Sequence, residues 1–212
     1  MTTELRYVCL GLLDIGAVKF GSFRLRLHET HPDAPLSPIY IDLRLIRSFP
    51  WLLRNIAGLM GRKVAAIAPR FIADVPTAAT PLASVMAVSF DLPMLTPRAE
   101  QKTHGVRSQI EGAPIPGSTV VVVDDLITHA ESKLGAIALL RAAELIVSDV
   151  VVFLDREQGG KEQLAAAGCS LHSVIFLSEM LDFYVSEHRI EHKQRTAIDD
   201  YISQMDAYRN KS

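Results

Sequence analysis

Two adjacent carboxylates, Asp124 and Asp125, follow four consecutive valines in the segment VVVVDDLITHAES (residues 120–132), which turns polar before a helix-compatible stretch begins near Glu131. Such a valine run suits a strand buried on both faces of a sheet. At the carboxyl end of a buried strand, loop amides and the first turn of the next helix form an anion site. Paired aspartates beside it can accept hydrogen bonds from two neighbouring sugar hydroxyls or hold a divalent cation. Carboxylates for hydroxyls and amides for phosphate suit a sugar phosphate. A strand followed by a plain helix cap has the same pattern, so spacing alone leaves both readings open.

The elements that must position these residues are legible as alternating runs. Short apolar stretches recur at 71–75, 94–95, 119–123, 149–154 and 171–176, and helix-compatible segments at 80–90, 131–144, 161–167 and 178–187 alternate with them. That order predicts an α/β core, a mostly parallel sheet with helices on both faces. Upstream, apolar spacing predicts a helix over 4–15, and strict alternation predicts a half-exposed strand over 17–27. The proline-containing stretch 28–38 reads as a loop, 39–45 as a second strand, and 49–68 as a helix with Pro50 in its first turn. A charged helical tail covers 190–209. The expected organisation of residues 1–212 is one domain: a cap over 1–45, the core over 46–187 and the tail over 188–212.

Composition narrows the partners. With 22 basic and 24 acidic side chains and a net charge of -2, the chain lacks the basic excess needed for broad binding to nucleic acid or an anionic membrane. No stretch approaches the roughly 20 apolar residues that span a bilayer, and the short apolar run 7–13, preceded by Glu4 and Arg6, does not read as a secretory signal. Cys9 and Cys169 are too far apart and too few for a disulfide or metal framework, and suit buried thiols in a reducing cytosol.

Segment 120–132 resembles the phosphoribosyl-pyrophosphate (PRPP) motif of type I phosphoribosyltransferases: an apolar strand, two acidic residues and a Thr/Gly-rich loop. Further segments narrow the likeness to orotate phosphoribosyltransferases. IGAVKFGSFRLR (15–26) resembles their N-terminal strand, and SPIYIDLR (37–44) a substrate-contacting strand. RAEQKTHG with IEG (98–105, 110–112) resembles the mobile loop; LDREQGG (154–160) and LHSV (171–174) resemble the strand end and turn that follow. The likeness keeps the family's order and spacing over most of the chain.

The resemblance implies the type I phosphoribosyltransferase fold with a small N-terminal hood. It implies transfer of 5-phosphoribosyl from PRPP to orotate, giving orotidine 5′-monophosphate and pyrophosphate in pyrimidine biosynthesis. Mg²⁺ would be held mainly through PRPP, with no protein metal site, and the enzyme would be a cytoplasmic homodimer with shared active sites. Carried over by position, PRPP would meet Arg98, Lys102, His104, Asp124, Asp125, Leu126, Ile127, Thr128, His129, Ala130, Glu131 and Ser132. Among these, Lys102, Asp124 and Asp125 take the catalytic roles. Orotate would meet Lys19, Tyr40, Ile41, Thr128 and Arg156, whose planar guanidinium suits a carboxylate.

Departures fall on the PRPP half. A lysine expected after Arg98 is Ala99, and a glycine-rich stretch is replaced by Val106, Arg107 and Ser108. The phosphate loop has Ala130 in place of glycine and Glu131 at a helix start, where a carboxylate competes with phosphate. DVPTAATP (74–81) offers only Thr77 and Ala78 where a glycine and a tyrosine are usual. The base half, Lys19, Tyr40 and Arg156, keeps the pattern. Two readings follow: a working transferase with an altered loop, or a non-catalytic protein on this fold that binds orotate or a nucleotide. His188 and His192 have helical i, i+4 spacing without a third ligand, and are expected on a solvated face together with the loop residues His28 and His31.

Overall fold

The computed structural model describes residues 1–98 and 109–209. In chain order the elements are α1 (Thr3–Asp14), β1 (Val18–Phe23), β2 (Ser37–Ile41), α2 (Pro50–Ile67), β3 (Phe71–Asp74), α3 (Thr80–Phe90), β4 (Met94–Pro97) and β5 (Ile110–Glu111). These continue as β6 (Thr119–Ile127), α4 (Glu131–Ala142), β7 (Ile146–Asp155), α5 (Gly160–Ala166), β8 (Ser170–Phe176), α6 (Leu177–Ser186) and α7 (His192–Arg209), with 3₁₀ turns at Arg26–Glu29 and Leu43–Ser48. They gather into two compact units, residues 1–46 with 177–212, and residues 47–176.

In the first unit, β1 and β2 form an antiparallel hairpin in which Lys19 faces Tyr40 and Val18 faces Ile41. Tyr184 of α6 is fully buried and donates its hydroxyl to the Cys9 carbonyl of α1 at 2.8 Å, which gives its polar tip a partner inside an apolar layer. Three expectations change here. The second strand stops at Ile41, because the chain coils into the 3₁₀ turn Leu43–Ser48 to bury Leu43 and Ile46. His28 is only 7% exposed rather than solvent-facing: the loop folds around its ring, with Nε2 3.1 Å from the Ala34 carbonyl and Nδ1 2.9 Å from the Leu25 amide. His188 and His192 share no helix, since α6 ends at Ser186 and His188 has a left-handed φ of 56° in the break before α7.

The second unit holds a six-stranded sheet in the order β5-β4-β3-β6-β7-β8, parallel throughout except for the short antiparallel edge strand β5. Its core packs Val120, Val122, Val150 and Val152 of the central strands against Ile137 and Leu140 of α4, all 3% exposed or less. On the opposite face Val121 and Val123 are equally buried, the two-sided burial expected of the valine run. Gly61 in the middle of α2 is explained by packing: a Cβ there would run into the Phe90 ring of α3, so only glycine lets the two helices approach. One boundary differs from expectation in a way that matters for the site. The strand does not stop at the aspartates; β6 continues pairing with β7 through Leu126 with Leu154 and Ile127 with Asp155. The polar turn is therefore only Thr128–Ala130 long.

Candidate active site

From β3 the chain moves outward to β4, whereas β6, β7 and β8 progress the other way, so strand order reverses between β3 and β6. In open parallel sheets the crevice at the carboxyl ends of the strands flanking such a reversal is where ligands bind. Asp74 ends β3 beside Val123, and Asp124 and Asp125 follow on β6. The turn 75–79 rises from one flank of the crevice and the turn 128–130 from the other.

Both aspartates of β6 are buried, Asp124 at 4% and Asp125 at 8% exposure. Asp124 is not an open carboxylate. Its Oδ2 lies 2.6 Å from Lys133 Nζ, its Oδ1 accepts the Asp125 amide at 2.9 Å, and the ammonium also donates to the Leu126 carbonyl at 2.7 Å. Asp125 Oδ1 accepts the Leu126 amide at 2.7 Å. Burial first, and the negative Asp124 second, push the Asp125 carboxyl up to about 7, partly offset by the Leu126 amide and the Lys133 ammonium. Lys133 did not emerge from the sequence as a site residue. One signal was there: it occupies the stripe 133, 136, 137, 140 that forms the buried face of α4, so a charge interrupts an otherwise apolar stripe.

The phosphate turn is built from close contacts. Ala130 is fully buried with φ -95°, so this backbone does not call for the glycine that the family pattern suggests. Its amide donates to Gln163 Oε1 of α5 at 2.7 Å, a partner sequence spacing gave no way to find. Glu131 and Ser132 open α4 and are exposed, with the amides of the first helical turn at their base. Arg156 is tied beside this turn by its amide, which donates to the Ile127 carbonyl at 2.9 Å. Gly160 lies where a Cβ would sit 2.5 Å from Ile127 Cγ1 and 3.1 Å from the Thr128 carbonyl, so the start of α5 can press against the turn only as glycine. Thr128 and His129 are half-buried within it.

On the other flank, Asp74 is fully buried and acts as a brace. Thr80 of α3 and Thr96 of β4 both donate hydroxyls to it, the latter at 2.6 Å. Arg47 donates to the Thr77 carbonyl, fixing the turn 75–79 from outside. Arg98 pairs with Glu111 at 2.5 Å. A cavity of about 970 Å³ opens here, lined by Thr77, Thr80, Thr96, Arg98, Ser132 and Leu139 among others. Lys102 and His104, together with Ala99 and the 106–108 replacement, lie outside the described residues. Lys19, Tyr40 and Ile41 are on the hairpin of the first unit.

No protein-family model matches the chain. Individual proteins do. The uridine 5′-monophosphate synthase of Bos taurus is 37% identical over 182 residues, which cover 85% of this chain and 37% of that protein. The orotate phosphoribosyltransferase of Pyrobaculum islandicum is 36% identical over 193 residues, covering 91% of this chain and 96% of the relative. The chain belongs to the orotate phosphoribosyltransferase family. Its fold agrees: the structure of Leishmania donovani UMP synthase superposes with a TM-score of 0.82 and 31% identity over 94% of this chain and 42% of that one. The chain thus spans little more than a third of the bovine synthase but nearly the whole of the Pyrobaculum enzyme. The type I phosphoribosyltransferase fold, with its mostly parallel sheet flanked by helices, is the architecture the sequence resemblance implied. Within the second unit it brings Asp124, Asp125, the 128–132 turn and Arg156 to one end of β6 and β7. To these the structure adds Lys133, Gln163 and Asp74.

Proposed function

We propose that this member of the orotate phosphoribosyltransferase family transfers the 5-phosphoribosyl group of PRPP to orotate, releasing pyrophosphate and forming orotidine 5′-monophosphate. The observation that carries the reading is the buried acid pair and its amide-lined turn at the strand-order reversal. In the proposed reaction, the ribose hydroxyls dock at the Asp124–Asp125 pair. The 5′-phosphate is received by the 128–132 segment at the start of α4, where the helix end favours an anion, with the Ala130 amide already held by Gln163. Arg156 meets the orotate carboxylate. Arg98, with Lys102 and His104, would meet the pyrophosphate, and Thr77 supplies a hydroxyl from the 75–79 side. The C1′–O bond to pyrophosphate breaks as the orotate ring nitrogen adds through an oxocarbenium-like state, the N–H proton leaving to the departing pyrophosphate or to solvent, so positioning and charge stabilisation suffice and no protein nucleophile is needed.

The acid pair does not fit a resident Mg²⁺ cage. Asp124 is already neutralised by Lys133, and no group of three or more His, Cys, Asp or Glu residues suited to a metal occurs among the described residues. We therefore take Mg²⁺ as an ion that arrives with PRPP and neutralises its pyrophosphate oxygens. A cytoplasmic homodimer, with the 98–105 loop reaching a second copy, belongs to the same proposal and rests on the family resemblance. Among the described residues, no helix is long and apolar enough to cross a membrane.

The test is product formation from PRPP, orotate and Mg²⁺, followed by chromatography of orotidine 5′-monophosphate, with sedimentation to establish the oligomer. Turnover that disappears in Asp125→Ala supports the proposal. Calorimetric orotate binding without any turnover rejects it in favour of a binding protein.

A further inference from the structure

We propose that Lys133 is a positioning residue for ribose binding: its ammonium locks Asp124 in place, leaving Asp125 as the carboxylate presented to the sugar. The inference rests on the PRPP-binding reading of this site and assigns unequal roles to two aspartates that the motif makes look equivalent.

The argument starts from burial. Lys133 and Asp124 have side chains only 5% exposed, and lysine is almost never this buried without a charged partner. Here Lys133 sits on the buried face of α4 that also carries Ala136, Ile137 and Leu140, and its ammonium ends between Asp124 Oδ2 and the Leu126 carbonyl. Asp124 Oδ1 is meanwhile held by the Asp125 amide. Each oxygen of Asp124 thus has a fixed donor, and rotating the carboxylate toward a ligand would break a charge-assisted bond in a dry site. Asp125 is held by the Leu126 amide at Oδ1 and by a side-chain hydrogen bond to Asp124, so exchanging a partner for a ribose hydroxyl breaks no contact with the Lys133 ammonium. The internal cation also offsets one of two adjacent buried charges, which lets the second carboxylate ionise without a counter-ion taken from solvent.

The arrangement is tested by steady-state kinetics with PRPP and orotate varied separately, on the wild-type chain, Lys133→Met and Lys133→Arg. Lys133→Met keeps the apolar stem and removes the cation. Its KM for PRPP is expected to rise about tenfold or more, while KM for orotate stays within about twofold. Lys133→Arg, which keeps the charge, is expected to recover most of the PRPP affinity. An unchanged KM for PRPP in Lys133→Met overturns the proposal, and so does a parallel rise in both KM values that simply follows a lower Tm. Should Lys133→Met fail to fold, the wild-type protein labelled with ¹⁵N at lysine Nζ decides: a slowly exchanging ammonium resonance from Lys133, kept when PRPP binds, supports the lock, and its absence overturns it. A wild-type chain with no turnover sinks the transferase reading and this inference together, whereas an active wild type with an indifferent Lys133→Met sinks the inference alone.

Discussion

The acid pair makes the proposed reaction depend on pH in a specific way. An ordinary aspartate is fully ionised above about pH 5. Asp125 is pushed up to about 7, by burial first and then by the charge of Asp124. Its ionised form is the stronger acceptor for a ribose hydroxyl. About a tenth of the protein is then ionised at pH 6 and about nine-tenths at pH 8, so kcat/KM for PRPP is expected to rise roughly tenfold across that interval. The upper step belongs to the pair and not to one residue alone. The 5′-phosphate of PRPP itself titrates near pH 6, so kinetics alone would mix two causes. The ligand-free protein separates them: carboxyl carbons labelled in aspartate should show one resonance titrating with a midpoint near 7, and Asp125→Asn should remove it.

The same shift acts on stability. A carboxyl whose folded-state value is raised favours the native state while protonated. Its contribution is complete below the unfolded value of about 4 and is lost as pH rises through about 7. Asp125→Asn cannot ionise, so its Tm should exceed that of the parent by a gap that widens from about pH 4 to 7 and levels off above. At the plateau the gap corresponds to a few kcal/mol, the penalty of holding a second buried carboxylate. A Tm difference that does not vary with pH, or a carboxyl midpoint near 4, would refute the reasoning outright.

Other expectations are more local. Gly160→Ala would place a Cβ 2.5 Å from Ile127 Cγ1, so α5 must shift away from the phosphate turn; overpacking of this kind costs about 1–3 kcal/mol and should lower Tm by several degrees in a melting scan, with weaker PRPP binding alongside. Arg156→Met should raise KM for orotate by about tenfold or more while leaving that for PRPP nearly unchanged, because it removes a carboxylate partner and no phosphate contact. Glu131→Gly combined with Ala99→Lys should increase kcat/KM for PRPP, since it removes an anion from the start of α4 and restores a cation after Arg98; equal or lower activity in the double variant would show that neither departure limits the reaction.

What could be read from the sequence, and what could not, divides along a physical line. The sheet was legible because its central strands are largely buried: 71–75, 119–123 and 149–154 announce themselves as apolar runs, and the helices between them carry their own periodicity. The site's location followed, since a carboxylate pair at the end of such a run has few places to be. Its internal partners did not follow. Gln163 reaches the Ala130 amide across 33 residues, and Asp74 gathers Thr80 and Thr96 from two different elements; neither leaves a local pattern. The strand end was misplaced for a related reason. Asp124 and Asp125 look like residues that must face water and so end a strand, yet β6 carries them inside because Lys133, seven residues beyond Leu126, returns to compensate Asp124. A charge within the 133, 136, 137, 140 stripe is thus the one local sign that the acid pair is buried. A neutral side chain at 133 would leave the aspartates either exposed or protonated. The local reading of β6 therefore depended on a residue in the following helix.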